Sequence, residues 1–256
     1  MKRVRVIPLI MIENGRAVVT RHFKSPVYVG DPINAIRIFN DKEVDELFIV
    51  DITKHPKKSR PDFDLISKMA SESFMPLAYG GHLRSMEHAE TIVKSGVEKI
   101  SFNTALFSNP EMIRELSGRY GKQSIIASID YKKNWAGQEV IRTSHNTRSV
   151  AGAFERQLRY VLELGVGEVF LNAIQHDGTL KGYDLKMIHF VSKILNIPVV
   201  ACGGAASIED FRKAIEHGAS AVAAGAMFFF KGGMDAVLIN YPGQDKLTSE
   251  LYGLLD

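Results

Sequence analysis

Glu46-Leu47-Phe48-Ile49-Val50-Asp51 and Glu168-Val169-Phe170-Leu171-Asn172 are two apolar runs that open on the same acid–apolar–phenylalanine triplet, 122 residues apart. Gly96 and Gly218 keep that spacing, as do Phe107 and Phe229 and the helix openers Ser85-Met86-Glu87 and Ser207-Ile208-Glu209. Pro76 precedes Gly80-Gly81 much as Pro198 precedes Gly203-Gly204. Further runs of this kind are Val4–Ile12, Met75–Tyr79, Lys99–Phe102, Ser124–Asp130, Pro198–Cys202 and Ala221–Ala224. Continuous apolarity over about five residues marks strands buried on both faces.

Stretches with helical spacing lie between these runs. One stripe is Leu65, Ile66, Met69 and Ala70; others are Ala89, Ile92 and Val93; Phe154, Leu158, Val161 and Leu162; Met187, Phe190, Val191 and Ile194; and Phe211, Ala214 and Ile215. Asp31-Pro32, Asn109-Pro110 and Ser207-Ile208-Glu209-Asp210 are start signals, and Gly96, Gly165 and Gly218 are stops. Strands alternating with helices predict a parallel sheet. The long repeat places strands two to four in phase with strands six to eight, so the chain reads as two (βα)4 halves closed into one (β/α)8 (TIM) barrel. No linker or composition break divides residues 1–256, which predicts a single domain.

The chain carries 32 Lys+Arg against 29 Asp+Glu, with 45% hydrophobic and 24% charged residues. A net charge of +3 gives no argument for nucleic acid or membrane binding. The densest basic run, Lys54 to Arg60, has no interleaved aromatics and reads as a solvated loop. One cysteine, Cys202, excludes an internal disulfide. No apolar run nears the roughly 18 residues of a membrane span, and the basic start Met1-Lys2-Arg3 leads into Arg5 without a cleavage site. A cytoplasmic protein is expected. The histidines show no His-x-His or His-Glu-x-x-His spacing, so neither metal nor cofactor is expected.

Active sites of such barrels lie at the carboxyl ends of the strands. Gly80-Gly81 with Asn103-Thr104, and Gly203-Gly204 with Gly225-Ala226, fall at equivalent strand ends in the two halves. Glycine-rich turns entering helices converge N–H groups on an anion, so two phosphate cradles on opposite sides of the mouth are expected. The same glycines would also serve simply to permit tight turns.

The chain resembles the cyclase subunit of imidazole glycerol phosphate synthase almost end to end. The resemblance is carried by Glu13-Asn14-Gly15-Arg16, Asp45-Glu46-Leu47-Phe48-Ile49-Val50-Asp51-Ile52-Thr53, Tyr79-Gly80-Gly81, Lys99-Ile100-Ser101-Phe102-Asn103-Thr104-Ala105, Ser128-Ile129-Asp130, His176-Asp177-Gly178-Thr179-Leu180-Lys181-Gly182-Tyr183-Asp184 and Cys202-Gly203-Gly204-Ala205. It implies a glutaminase partner whose ammonia crosses the barrel to a phosphorylated substrate at the top. It implies Asp130 as the general acid–base group. Asp51, Gly81, His82, Asn103, Thr104, Asp177, Gly178, Gly203, Gly204, Gly225 and Ala226 are implied to bind substrate or phosphate. Arg5, Glu46, Lys99 and Glu168 are implied as a charged ring admitting ammonia at the bottom, with Glu98 beside it facing the partner.

Departures from the family pattern are specific. Met11 stands where the family has a second catalytic aspartate, Val19 replaces a lysine, His82 replaces a glycine, and Gln175 and Asn172-Ala173 alter the strand-six loop. Methionine cannot transfer a proton, a role worth roughly 10²–10⁴-fold. His82 reads equally as a phosphate-binding cation or a loop residue. The pattern resembles divergent paralogues that supply ammonia to a separate sugar amidotransferase, making an acetamidino sugar for surface polysaccharide. A working histidine-pathway cyclase is the alternative. A non-catalytic scaffold that activates the glutaminase is a further one, and a phosphosugar isomerase of the sister family ranks last.

Overall fold

The computed structural model describes residues 4–54, 60–231 and 236–255; residues 55–59 of the basic run lie outside them. Eight strands, β1 (Arg5–Glu13), β2 (Leu47–Asp51), β3 (Leu77–Gly80), β4 (Lys99–Phe102), β5 (Ile125–Lys133), β6 (Glu168–Ala173), β7 (Val199–Cys202) and β8 (Ala221–Ala224), pair in parallel with their sequence neighbours. Pairing of β1 with β8, Arg5 opposite Ala221, closes the ring. The halves meet a second time where β4 and β5 run side by side, Ile100 opposite Ile125; within the second half, Asp130 of β5 lies opposite Asn172 of β6.

Helices α1 (Pro32–Asp41), α2 (Phe63–Glu72), α3 (Met86–Lys94), α4 (Pro110–Tyr120), α5 (Phe154–Glu163), α6 (Leu185–Ile194), α7 (Ile208–Glu216) and α8 (Gln244–Glu250) follow the eight strands in turn. The caps repeat as the helix openers do. Ser85 accepts from the His88 backbone N–H, and Ser207 accepts from that of Asp210, whose carboxylate answers in a capping box. Asp31 caps α1, whereas Asn109 makes no side-chain cap bond before Pro110. On α6 the buried face is Met187, Ile188 and Val191. Phe190, expected in that stripe, is 40% exposed and lies on the flank against the Phe154 ring.

Strand alternation sorts the core in two. Val6, Ile10 and Ile12 of β1 pack outward beneath the helices. Ile7, Leu9 and Met11 pack inward with Phe48, Ala78, Ile126, Phe170, Val200 and Ala223. The Phe48 and Phe170 rings, equivalent in the two halves, meet edge to face at 4.4 Å inside the barrel.

Two pairs of extra elements sit at the top. Arg16–Arg21 and Lys24–Gly30 form an antiparallel hairpin that extends β1; Glu139–Thr143 and Arg148–Ser149 do the same for β5. Short helices Thr104–Ser108 and Ala226–Phe229 follow β4 and β8. Each pair occupies matching positions in the two halves. No helix among the described residues is long and apolar enough to cross a membrane.

Candidate active site

The same alternation that points Phe48 and Phe170 inward places Glu46 and Glu168 inward two residues earlier, at the bottom of the barrel. Lys99 Nζ donates to both Glu46 oxygens (3.0 and 2.9 Å) and to Glu168 Oε2 (3.2 Å). The Arg5 guanidinium donates to Glu46 and to Glu168. Two cations and two carboxylates thus alternate in a closed ring, with the glutamate side chains only 4% and 6% exposed. Burial opposes the Arg5 charge, but the hydrogen bonds and charges of Glu168 and Glu46 outweigh it and raise its pKa. Glu98, next along the chain, is exposed.

The opposite end opens into a cavity of about 590 Å³, lined by Met11, Asp51, Gly81, His82, Asn103, Thr104, Asp130 and Asn172 among others. Gly81 cannot be replaced without displacement: at φ +120°, a Cβ would stand 2.5 Å from the Asp51 carbonyl oxygen. Asp51 accepts from the Thr53 backbone N–H at 2.9 Å and faces His82 Nε2 at 3.7 Å. Burial would raise the Asp51 pKa, but the facing His82 ring and the hydrogen bonding with Thr53 win and lower it. Asn103 does not offer its amide to the cavity; Nδ2 donates to the Ser128 and Arg142 carbonyls at 3.0 and 3.1 Å.

The second half forms a separate, tight cleft of about 20 Å³, where Asp177, Gly178, Gly203, Gly204, Gly225 and Ala226 come together beside Met11. At Gly204, φ +106°, a Cβ would stand 2.2 Å from the Gly182 carbonyl oxygen. Asp177 is held in place: Thr20 Oγ1 donates to it at 2.7 Å and the Phe23 N–H at 3.0 Å. Its pKa is raised, burial outweighing those bonds. Cys202 lies buried here, and burial followed by the Asp177 and Asp130 charges pushes its thiol well up, so it is no nucleophile.

Asp130 and Met11 lie toward the carboxyl ends of β5 and β1. Asn172 Nδ2 donates to Asp130 Oδ1 at 3.2 Å. Desolvation raises the Asp130 pKa to about 7, against the Asn172 bond and with the help of Asp177. That value suits a group that must both give and take a proton near neutral pH. Met11 is 6% exposed, and its sulfur lies 3.7 Å from Thr20 Oγ1, whose one hydroxyl proton goes to Asp177. Among the described residues, the carboxyl groups facing the main cavity are Glu13, Asp51 and Asp130. Among the described residues no group of three or more His, Cys, Asp or Glu could hold a metal ion.

Thr20, Ser144 and His145 are site residues that the sequence reading missed. They sit on the two hairpins, for which alternation in Arg16–Arg21 and Glu139–Thr143, and the turn pair Asn14-Gly15, were the available signals.

Residues 5–234 match the family described as "Histidine biosynthesis protein". A Pseudomonas aeruginosa protein provisionally named imidazole glycerol phosphate synthase subunit hisF2 is 44% identical over 248 residues, 96% of this chain and 99% of its own length. A Vibrio vulnificus protein provisionally named subunit hisF3 is 41% identical over 98% of this chain and 97% of its own. The imidazole glycerol phosphate synthase subunit HisF of Streptomyces coelicolor is 35% identical over 89% and 90%.

Proposed function

The chain belongs to the HisF-type family of imidazole glycerol phosphate synthase cyclase subunits, and from that membership we propose that it receives ammonia from a glutaminase docked at the barrel bottom. Glu98 belongs to the docking face. Ammonia passes the ring of Arg5, Glu46, Lys99 and Glu168 and reaches the cavity at Asp130. A phosphorylated small molecule is held there by Gly81 and Thr104 in one half and by Gly178, Gly204, Gly225 and Ala226 in the other.

The chain's own cyclase activity is weak, and its ammonia serves a separate sugar amidotransferase that makes an acetamidino sugar for surface polysaccharide. Met11 carries this reading. A thioether occupies the strand-one end that faces the cavity, and it has no proton to exchange. Asp51 is a poor substitute acid because its pKa is lowered. The numbered subunit names of two relatives accord with a paralogue. The test is turnover of the histidine-pathway ribulose phosphate intermediate at saturating ammonium, beside reconstitution with a cognate glutaminase and sugar acceptor. Ordinary cyclase rates refute the paralogue reading. The working cyclase is the second reading; in its favour is Asp130, which holds its proton to about pH 7.

A further inference from the structure

Two histidines from different loops meet over the first-half end of the main cavity. His82, in the loop after β3, has φ +57°, a left-handed backbone that residues with side chains seldom adopt. Its side chain is 7% exposed and its Nε2 lies 3.7 Å from Asp51. His145 stands between Ser144 and Asn146 in a run of three left-handed residues, φ 53°, 55° and 63°.

That run is clipped down. The Ser144 N–H donates to Thr104 Oγ1 at 3.0 Å, Asn103 Nδ2 donates to the Arg142 carbonyl at 3.1 Å, and Arg142 Nε donates to Asn146 Oδ1 at 2.9 Å. The result brings the two imidazole rings within 6.3 Å of each other on one cavity wall. Backbone strain of this kind persists only where the surroundings enforce it, and it concentrates at functional sites.

The charges around the pair explain what it can do. Asp51 faces it from β2, Lys54 and Arg84 from the loops after β2 and β3, and His88 Nδ1 of α3 meets the His82 carbonyl oxygen at 3.3 Å. A dianion entering beside Gly81 and Thr104 meets the ionised Asp51 carboxylate. With a neutral His82 that encounter is repulsive. With a protonated His82 the Asp51–His82 pair is neutral overall, and Lys54, Arg84 and a second imidazole face the anion.

We propose that His82 and His145 make this end of the cavity a proton-linked site for a phosphate-like dianion, which binds together with a proton on His82. The proposal rests on the first-half cradle of the proposed function and is independent of the glutaminase.

Sulfate is the probe, because it stays dianionic over the whole range and any pH dependence of its binding belongs to the protein. Calorimetric titration of the purified chain should show Kd rising roughly tenfold between pH 6 and pH 8, the range in which a histidine-linked proton is lost. Buffers of different ionisation enthalpy should report net proton uptake on binding. His82→Asn keeps a residue that accepts a left-handed backbone; it should bind more weakly at pH 6 and lose the slope. His145→Gln should weaken binding a few-fold with the slope retained. Should His82→Asn fail to fold, histidine-selective NMR of the native chain gives the same answer, with the His82 ring taking the imidazolium pattern as sulfate is added. A flat pH profile in the native chain, or a slope that survives His82→Asn, overturns the proposal. Absence of sulfate binding at both pH values overturns it together with the first-half cradle. Normal coupling to a glutaminase alongside a flat profile leaves the proposed function standing and refutes only this inference.

Discussion

Lys99→Ala removes one cation from the bottom ring. Lys99 Nζ serves both glutamates, donating at 2.9–3.2 Å. Without it, two carboxylates only 4% and 6% exposed share the single guanidinium of Arg5. Breaking a buried ion pair costs about 3–5 kcal/mol because the surviving partner is left uncompensated. Lys99 and Arg5 side chains are 21% and 31% exposed, so water reaches the cationic side and Arg5 still compensates part of the charge. The expected loss is therefore about 2–3 kcal/mol, a fall in Tm of about 5–10 °C for a chain of this size.

Urea unfolding measures this loss, with Lys99→Met/Glu46→Gln as the paired variant. Neutralising both members leaves Arg5 with Glu168 and should recover at least half of the loss. In the complex with glutaminase and acceptor enzyme, Lys99→Ala should raise glutamate released per aminated product while assembly survives. A variant within about 0.5 kcal/mol of native stability, the scale of an exposed pair, would refute the buried-ring argument, and an unchanged ratio would refute the ring's role in passing ammonia.

Met11→Asp should raise ammonia-dependent cyclase turnover by about 10²-fold or more, measured with the ribulose phosphate intermediate; no gain would place the block at Val19 or the strand-six loop. Asp130 has a folded pKa of about 7, above its ordinary 3.8. Its stabilising contribution is therefore full below about pH 4 and is lost as pH rises toward 7. Native stability relative to Asp130→Asn should fall over that window by at most roughly 1.4 kcal/mol per pH unit, read from unfolding curves, and level off above it. Glu98→Lys reverses an exposed charge, so it should leave Tm unchanged and slow glutaminase association about tenfold at low salt, with the effect fading at high salt.

The barrel was legible in the sequence because its signals are local and repeated. Five apolar residues in a row, a capping serine, and a stop glycine each act within a few positions, and the 122-residue repeat put them in phase. The glutamates of the ring were legible for a similar reason: strand alternation puts Glu46 on the same face as Phe48, and Glu168 on that of Phe170, whichever way the chain folds. Closure of Arg5, Glu46, Lys99 and Glu168 around one another depended on the register of four strands, and only the closed sheet supplies it. The same holds for the upward shift of Asp130, which arises from burial and from the distant Asp177. It holds too for Asn103, whose amide is committed to backbone carbonyls. His82 was ambiguous as a letter between glycine and leucine; Asp51 from one strand and His145 from a strained hairpin gave its ring a place and neighbours. Pattern along the chain determines which face a residue takes. Which charges meet across the barrel is a long-range property, set when eight strands close and water is shut out between them.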